Sequence, residues 1–225
     1  MKNFFELKED ILKLTGGVYC NYPSIKILIH PFSIRLVYFS ARIGIHPNLL
    51  SSIGIIFSLL CLVFLFLGMY KLTFLFFWIR LVVDYSDGAL ARFTSKESKS
   101  GEILEFISDY GCYIGVWILI TVQLPTYFLQ YYFILSCLAY FLCVQYYVMP
   151  RLKYLSRRSK LKQYFLDHGI ILGMGVFFEL ELWCLFFFAI GIAPEHLFFL
   201  IILCNLDLIY RIYEVLIFYE NKSIS

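Results

Sequence analysis

Long apolar segments follow one another along this chain, each close to the length that a helix needs to cross a lipid bilayer. That length is about 20 mostly apolar residues. Hydrophobic residues make up 61% of the 225, charged residues only 16%, and mean hydropathy is +0.78. These are too few polar side chains to cover a water-soluble globule. We therefore predict an all-α membrane protein with six transmembrane helices. Their windows are residues 48–70, 72–92, 102–124, 127–149, 170–192 and 196–218.

The segment before the first window has a different pattern. Residues 24–45 mix large apolar side chains with basic ones such as Lys26 and Arg35. This mixture is typical of an amphipathic helix that lies in the membrane interface, and Pro31 is expected to break or kink it. We predict one membrane domain, 1–225, made of an interfacial segment 1–46, a helix bundle 47–218 and a tail 219–225.

The basic residues are unevenly distributed between the loops. Most of the 19 Lys and Arg residues belong to the termini and to alternate loops, above all the loop 150–168, whereas the opposite side has only Lys71. Because cytoplasmic loops carry the excess of Lys and Arg, both termini are predicted to be cytoplasmic. We expect a multi-pass protein of a bacterial inner membrane, with a polar cavity and active site open to the cytoplasm.

Composition also excludes two other classes of protein. Intrinsic disorder requires low hydrophobicity, which this chain does not have. A disulfide scaffold is unsupported because the seven cysteines are an odd number and lie mostly in apolar runs without C-x-x-C spacing.

Acidic side chains lie inside the second and third windows, where each charge costs roughly 2.5–3.5 kcal/mol. Asp84, Asp87 and Gly88 share one helix face. Glu105 and Asp109, four residues apart, share a face of the next helix. A short polar turn joins the two helices, so we expect antiparallel neighbours whose four carboxylates meet at one depth.

Four carboxylates at one depth cannot all ionise unless positive charge lies between them. Hard divalent cations take oxygen ligands, and a pair of them suits phosphoryl transfer. One alternative is that the acids pair with arginines as links between helices, among them Arg80 and Arg211. Another is a transporter or channel that uses the carboxylates as its ion site, which broken or inverted-repeat spans would favour. In the fifth window, Glu179 or Glu181 also needs a partner, and Arg80 is expected to pair with Glu179.

The same acidic residues resemble a family signature. Residues 84–109 resemble the pattern D-x2-D-G-x2-A-R-x8-G-x3-D-x3-D of the CDP-alcohol phosphotransferases, also called CDP-alcohol phosphatidyltransferases. If each residue type has a frequency of about 5%, seven matches arise by chance with a probability on the order of 10⁻⁹ per starting position. Glu105 departs from the family, which has Asp there. Pro47, Asn48 and Ser51 match a recurring Pro-Asn motif of the first span. The matching residues are Asp84, Asp87, Gly88, Ala91, Arg92, Gly101 and Asp109.

The resemblance implies an enzyme that moves a phospho-alcohol from a CDP-alcohol to an acceptor alcohol and releases CMP. It implies a homodimer with two bound Mg²⁺ or Mn²⁺ ions, acting in phospholipid or related polar-lipid biosynthesis. At least one substrate is expected to be a lipid, and no nucleic acid is involved. The identities of both substrates stay open. So does the alternative that Glu105 marks a weakened or inactive member.

The resemblance also assigns roles to single residues. Asp109 would be the catalytic base that accepts the proton of the acceptor hydroxyl. Asp84, Asp87 and Glu105 would hold the metal ions together with Asp109. The residues expected at the nucleotide are Asn48, Ser51, Gly88, Ala91, Arg92 and Ser98.

Three basic residues are candidates for acceptor binding. Arg151 and Lys153 belong to the basic loop, and Arg211 lies in the last window. Each could bind a phosphate on the acceptor. The alternatives are that the loop sets topology and contacts acidic lipid headgroups, and that Arg211 pairs with Asp207.

Overall fold

The computed structural model describes residues 24–142, 164, 177–192, 202, 205–206, 208–210 and 212–213. These residues are almost entirely helical, which confirms the all-α prediction. The elements are a π-helical turn, Ile25–Ile29, followed by α1 (His30–Ile43), α2 (Pro47–Phe66), α3 (Tyr70–Thr94), α4 (Lys99–Gln123), α5 (Tyr127–Leu142) and α6 (Phe177–Ala189).

Two of the described helices, α2 and α4, are long and apolar enough to cross a membrane. A shorter apolar helix covers Tyr127–Ala139. The sixth predicted window and the basic loop fall largely outside the described residues. Six spans therefore stay a prediction.

The N-terminal helix is continued through Pro31 rather than broken there. Pro31 lies in the first turn of α1, where its missing N–H is not needed. The π-helical turn directly precedes α1, and His30 N–H closes it on the Ile25 carbonyl. The expected kink thus takes the form of a wider turn before the proline. α1 ends at Gly44, whose φ of 81° favours glycine.

Helix α3 is the centre of the bundle, packing against α1, α2 and α6. α2 packs on both α3 and α4, whereas α3 and α4 share few close backbone contacts. The predicted antiparallel arrangement of α3 and α4 agrees with the side-chain contacts between them: Tyr70 Oη donates to Gln123 Oε1 at 2.8 Å, and Arg80 contacts Asp109. Their short connecting turn brings their ends together, but α2 forms the larger contact with each, so side chains must reach across between α3 and α4.

Close approach of α2 and α4 depends on Gly115. A methyl group added there would lie 2.7 Å from Leu62 Cδ2, closer than side chains pack. The core beyond this contact is aromatic and aliphatic, with Trp117 and Phe133 rings 4.8 Å apart. Large apolar side chains such as Val63 and Val122 point outward from α2 and α4. An apolar exterior of this kind suits contact with lipid.

Candidate active site

The turn between α3 and α4 is tied to the start of α2 by a polar network. Ser98 caps α4, because its Oγ accepts a hydrogen bond from Gly101 N–H at 3.1 Å. The Ser98 hydroxyl donates to Asn48 Oδ1 at 3.2 Å, and Asn48 Nδ2 donates to Ser100 Oγ at 3.0 Å. A Cβ at position 101 would lie 3.2 Å from Asn48 Oδ1. Glycine therefore lets the ends of α2 and α4 meet.

This network places two predicted nucleotide-binding residues side by side, Asn48 and Ser98. Asn48 is not a helix cap, whereas Ser98 has an ordinary structural role as the N-cap of α4. The N-cap of α2 is His46, whose side chain accepts from Asn48 N–H, so Asn48 is not the cap. Ser98 is half-buried rather than a solvated turn residue.

Asp87 is held on both oxygens. Its side chain is buried, with 5% of the residue exposed. Ser51 Oγ donates to Oδ2 at 2.6 Å, and Gly88 N–H donates to Oδ1 at 2.6 Å. Each carboxylate oxygen has two lone pairs, so both keep one for a further partner. Ser51, expected at the nucleotide, is thus observed as the partner that orients Asp87.

Arg80 joins the acidic residues of α3 and α4. It is fully buried, one turn before Asp84. Its Nη2 donates to Asp109 Oδ1 and lies 3.8 Å from Asp84 Oδ1. The carboxyl groups of Asp84 and Asp109 also interact electrostatically with each other. Arg80 therefore spans the space between α3 and α4 and supplies positive charge to two of the four predicted carboxylates.

Glu105 and Arg92 form the more open side of the cluster. Both are exposed, and they interact electrostatically. Glu105 also interacts with Asp84, so it belongs to the same cluster. The Arg92 guanidinium lies over Gly88, where an added Cβ would be 3.4 Å from Nη1. The small residue at 88 therefore leaves room for Arg92 beside the acids.

A fifth acidic residue, Glu181 of α6, comes close to this cluster. It is fully buried and interacts electrostatically with Arg80, Cys112 and Asp109. Among the residues that the structure describes, neither of its carboxyl oxygens has a hydrogen-bond partner. The sequence indicated that an acid of this helix needs a partner, but favoured Glu179, whose side chain is outside the described residues. Helix periodicity alone does not tell which of the two faces α3.

The acceptor-binding candidates cannot be placed. Arg151, Lys153 and Arg211 all fall outside the described residues.

The donor set can be compared with the needs of a divalent cation. Carboxylate oxygens are the ligands that Mg²⁺ and Mn²⁺ prefer. As they stand, no three acidic, His or Cys side chains within the described ranges are close enough together to hold an ion. Arg80 engages Asp109 in this arrangement. The residues fit a divalent cation in kind, because all four are carboxylates.

Comparison with known proteins gives one match. A model of the CDP-alcohol phosphatidyltransferase family matches residues 44–191, from Gly44 after α1 to Gly191, two residues after the end of α6. No curated protein and no solved structure matches the chain.

Proposed function

The chain belongs to the CDP-alcohol phosphatidyltransferase family, whose model matches well over half of it, and from this membership we propose that it transfers a phospho-alcohol group from a CDP-alcohol to an acceptor alcohol with release of CMP. Family membership and the apolar helices α2 and α4 indicate an integral membrane protein. We propose that the protein lies in a bacterial inner membrane, with its active site and both termini on the cytoplasmic side. We also propose that it is a homodimer.

One observation carries this proposal. Asp84, Asp87, Glu105 and Asp109 come from two helices that share few close backbone contacts, yet they interact as one cluster. A protein gains nothing in stability by gathering four acids in an apolar bundle, since like charges repel there. Binding of divalent cations, and through them of a pyrophosphate, accounts for the cluster.

The four acids of the cluster have separate proposed roles in the reaction. The acceptor oxygen attacks the phosphorus that bears the alcohol, the bond from that phosphorus to CMP breaks, and the acceptor's proton passes to a carboxylate oxygen of Asp109. Bound Mg²⁺ or Mn²⁺, two ions by family resemblance, would neutralise the pyrophosphate and acidify the acceptor hydroxyl. Asp84, Asp87 and Glu105 would hold these ions together with Asp109.

The nucleotide is proposed to lie against the open side of the cluster. Arg92 is exposed there and can bind phosphate oxygens. Gly88 and Ala91 have little or no side chain and leave space for the cytidine end. Asn48 and Ser98 lie together at the adjoining turn, within reach of a ligand in that position.

The test is release of CMP from a CDP-alcohol by the purified protein in detergent. CDP-diacylglycerol with small polar alcohols is compared with polar CDP-alcohols and a lipid acceptor, each with Mg²⁺ or Mn²⁺. We expect the wild-type protein to release CMP with one pair of CDP-alcohol and acceptor. We expect Asp84→Asn to release none with that pair. Turnover that persists in excess chelator would contradict the metal-dependent mechanism.

Glu105→Asp tests the departure from the family. Activity equal to or above that of the wild type is expected if the family geometry is preferred at this position. No CMP release by either protein, with any pair, would identify an inactive member.

A further inference from the structure

Glu181 is buried close to the site, and the proposed reaction assigns it no role. An ionisable group removed from water without a hydrogen bond is strongly unfavourable, and such groups in folded proteins need a specific explanation. Glu181 is 0% exposed, and neither carboxyl oxygen has a hydrogen-bond partner in the described part of the chain. A charge of opposite sign among its electrostatic partners is Arg80.

Arg80 interacts both with Glu181 and with the acids of α3 and α4. It is on α3, which packs against α6, and it reaches Asp109 on α4. A guanidinium has five N–H donors in a rigid fork, so it can serve carboxylates on two sides. Through Nη2 it serves Asp84 and Asp109, two of the four acids that the proposed mechanism gives to the metal ions.

A divalent cation and Arg80 would compete for Asp109. Both are positive, and both bind the same carboxylate oxygens. When a cation takes Asp109, the buried guanidinium must either face that cation or find another counter-charge. Glu181 can supply that counter-charge, because it already interacts electrostatically with Arg80.

Charge balance favours the same arrangement. The acids Asp84, Asp87, Glu105 and Asp109 carry together the charge that two divalent cations neutralise. Glu181 and Arg80 then neutralise each other. Arg92 interacts with Glu105 at the exposed side of the cluster, where it is proposed to bind the phosphates of the nucleotide.

We propose that Glu181 is a positioning residue which receives the Arg80 guanidinium when Asp109 turns to a divalent cation. In the structure described above, Arg80 contacts both Asp109 and Asp84. When a divalent cation is bound, Arg80 pairs with Glu181, and Asp109 is then available as the catalytic base. This inference rests on the metal binding in the proposed function.

The test is a double-mutant cycle on the affinity for Mn²⁺, measured by calorimetry without substrate. Glu181→Gln keeps the size of the side chain and removes its charge. It is expected to weaken Mn²⁺ binding by about 5- to 150-fold, the usual range of coupling between two sites. Arg80→Met removes the guanidinium, and in that background Glu181→Gln should weaken binding no further. Glu97→Gln, an exposed acid of the turn, is the control and should change affinity by less than about twofold.

Thermal unfolding separates this role from a merely structural one. In chelator, Glu181→Gln should melt at or above the wild-type temperature, because it removes a buried charge. On adding Mn²⁺ it should gain less stability than the wild type, in proportion to its weaker binding. If Arg80→Met does not fold, Arg80→Lys replaces it. Lysine keeps the charge, so Glu181→Gln must then weaken binding about as much as in the wild type.

The outcomes are distinct for the two proposals. If Glu181→Gln binds Mn²⁺ as the wild type does, or weakens binding equally with and without Arg80, the positioning role is wrong while the proposed function stands. If the wild-type protein binds no divalent cation, the metal-dependent function itself fails.

Discussion

Removing the Ser51 hydroxyl tests how Asp87 is held. In Ser51→Ala, the Asp87 carboxylate loses a hydrogen bond of 2.6 Å at a site where only 5% of the residue is exposed. Hydrogen bonds to charged groups contribute about 1.5–3 kcal/mol, and water has little access to replace this one. Gly88 N–H still holds the other oxygen. The carboxylate is therefore expected to keep its place but lose its orientation.

The expected result is a loss of metal affinity of about 10- to 100-fold, as for other residues that orient a ligand. Mn²⁺ calorimetry measures it directly. CMP release at saturating metal should recover most of the wild-type kcat, because Ser51 itself performs no chemistry. Ser51→Thr is the matched control, since it retains a hydroxyl that can reach Asp87, and it should lie close to the wild type.

The same variant separates two roles for Ser51. If Ser51 instead contacts the nucleotide, as the family resemblance implied, Ser51→Ala will raise KM for the CDP-alcohol while Mn²⁺ affinity stays unchanged. That result would refute the reasoning from the Ser51–Asp87 hydrogen bond. Loss of metal affinity with an unchanged KM at saturating metal would support it.

Three further outcomes are expected. Asp109→Asn should lower turnover by about 10²- to 10⁴-fold through loss of the base, with a much smaller effect on CDP-alcohol binding by calorimetry; a variant that loses binding but keeps turnover would contradict this role. Gly115→Ala should change the free energy of unfolding by less than about 1 kcal/mol in thermal or denaturant unfolding, because the end of the half-buried Leu62 side chain can move away from the new methyl group and alanine is the better helix former by about 0.8–1.0 kcal/mol; a larger loss would show that Leu62 is held rigidly, and Leu62→Ala in the same protein should then relieve it. Single cysteines at Ser98 and Thr126, which lie in successive turns, should react with impermeant reagents from opposite sides of the membrane; labelling of both from one side would exclude the predicted topology.

The positions of the helices were largely predictable from sequence, because they depend on local features. The predicted windows 48–70 and 102–124 lie close to the observed helices Pro47–Phe66 and Lys99–Gln123. They could be predicted because the length of an apolar run and its capping residues are local features of the sequence. Helix periodicity likewise put Asp84 and Asp87 on one face. Pro31 was misjudged because its effect depends on where the helix begins, and a proline in the first turn is tolerated.

Contacts between helices needed the tertiary structure, because they depend on the rotation and distance of elements far apart in the chain. Nothing local to Arg80 tells that it reaches Asp109, nor that Ser51 faces Asp87 across 36 residues. α2, rather than the α3–α4 turn, holds the two acidic helices at their separation. The choice of Glu181 as the acid beside Arg80 has the same origin. Two acids two positions apart on α6 differ by about 200° around the helix axis, and only the packing of α6 on α3 decides which one is buried there.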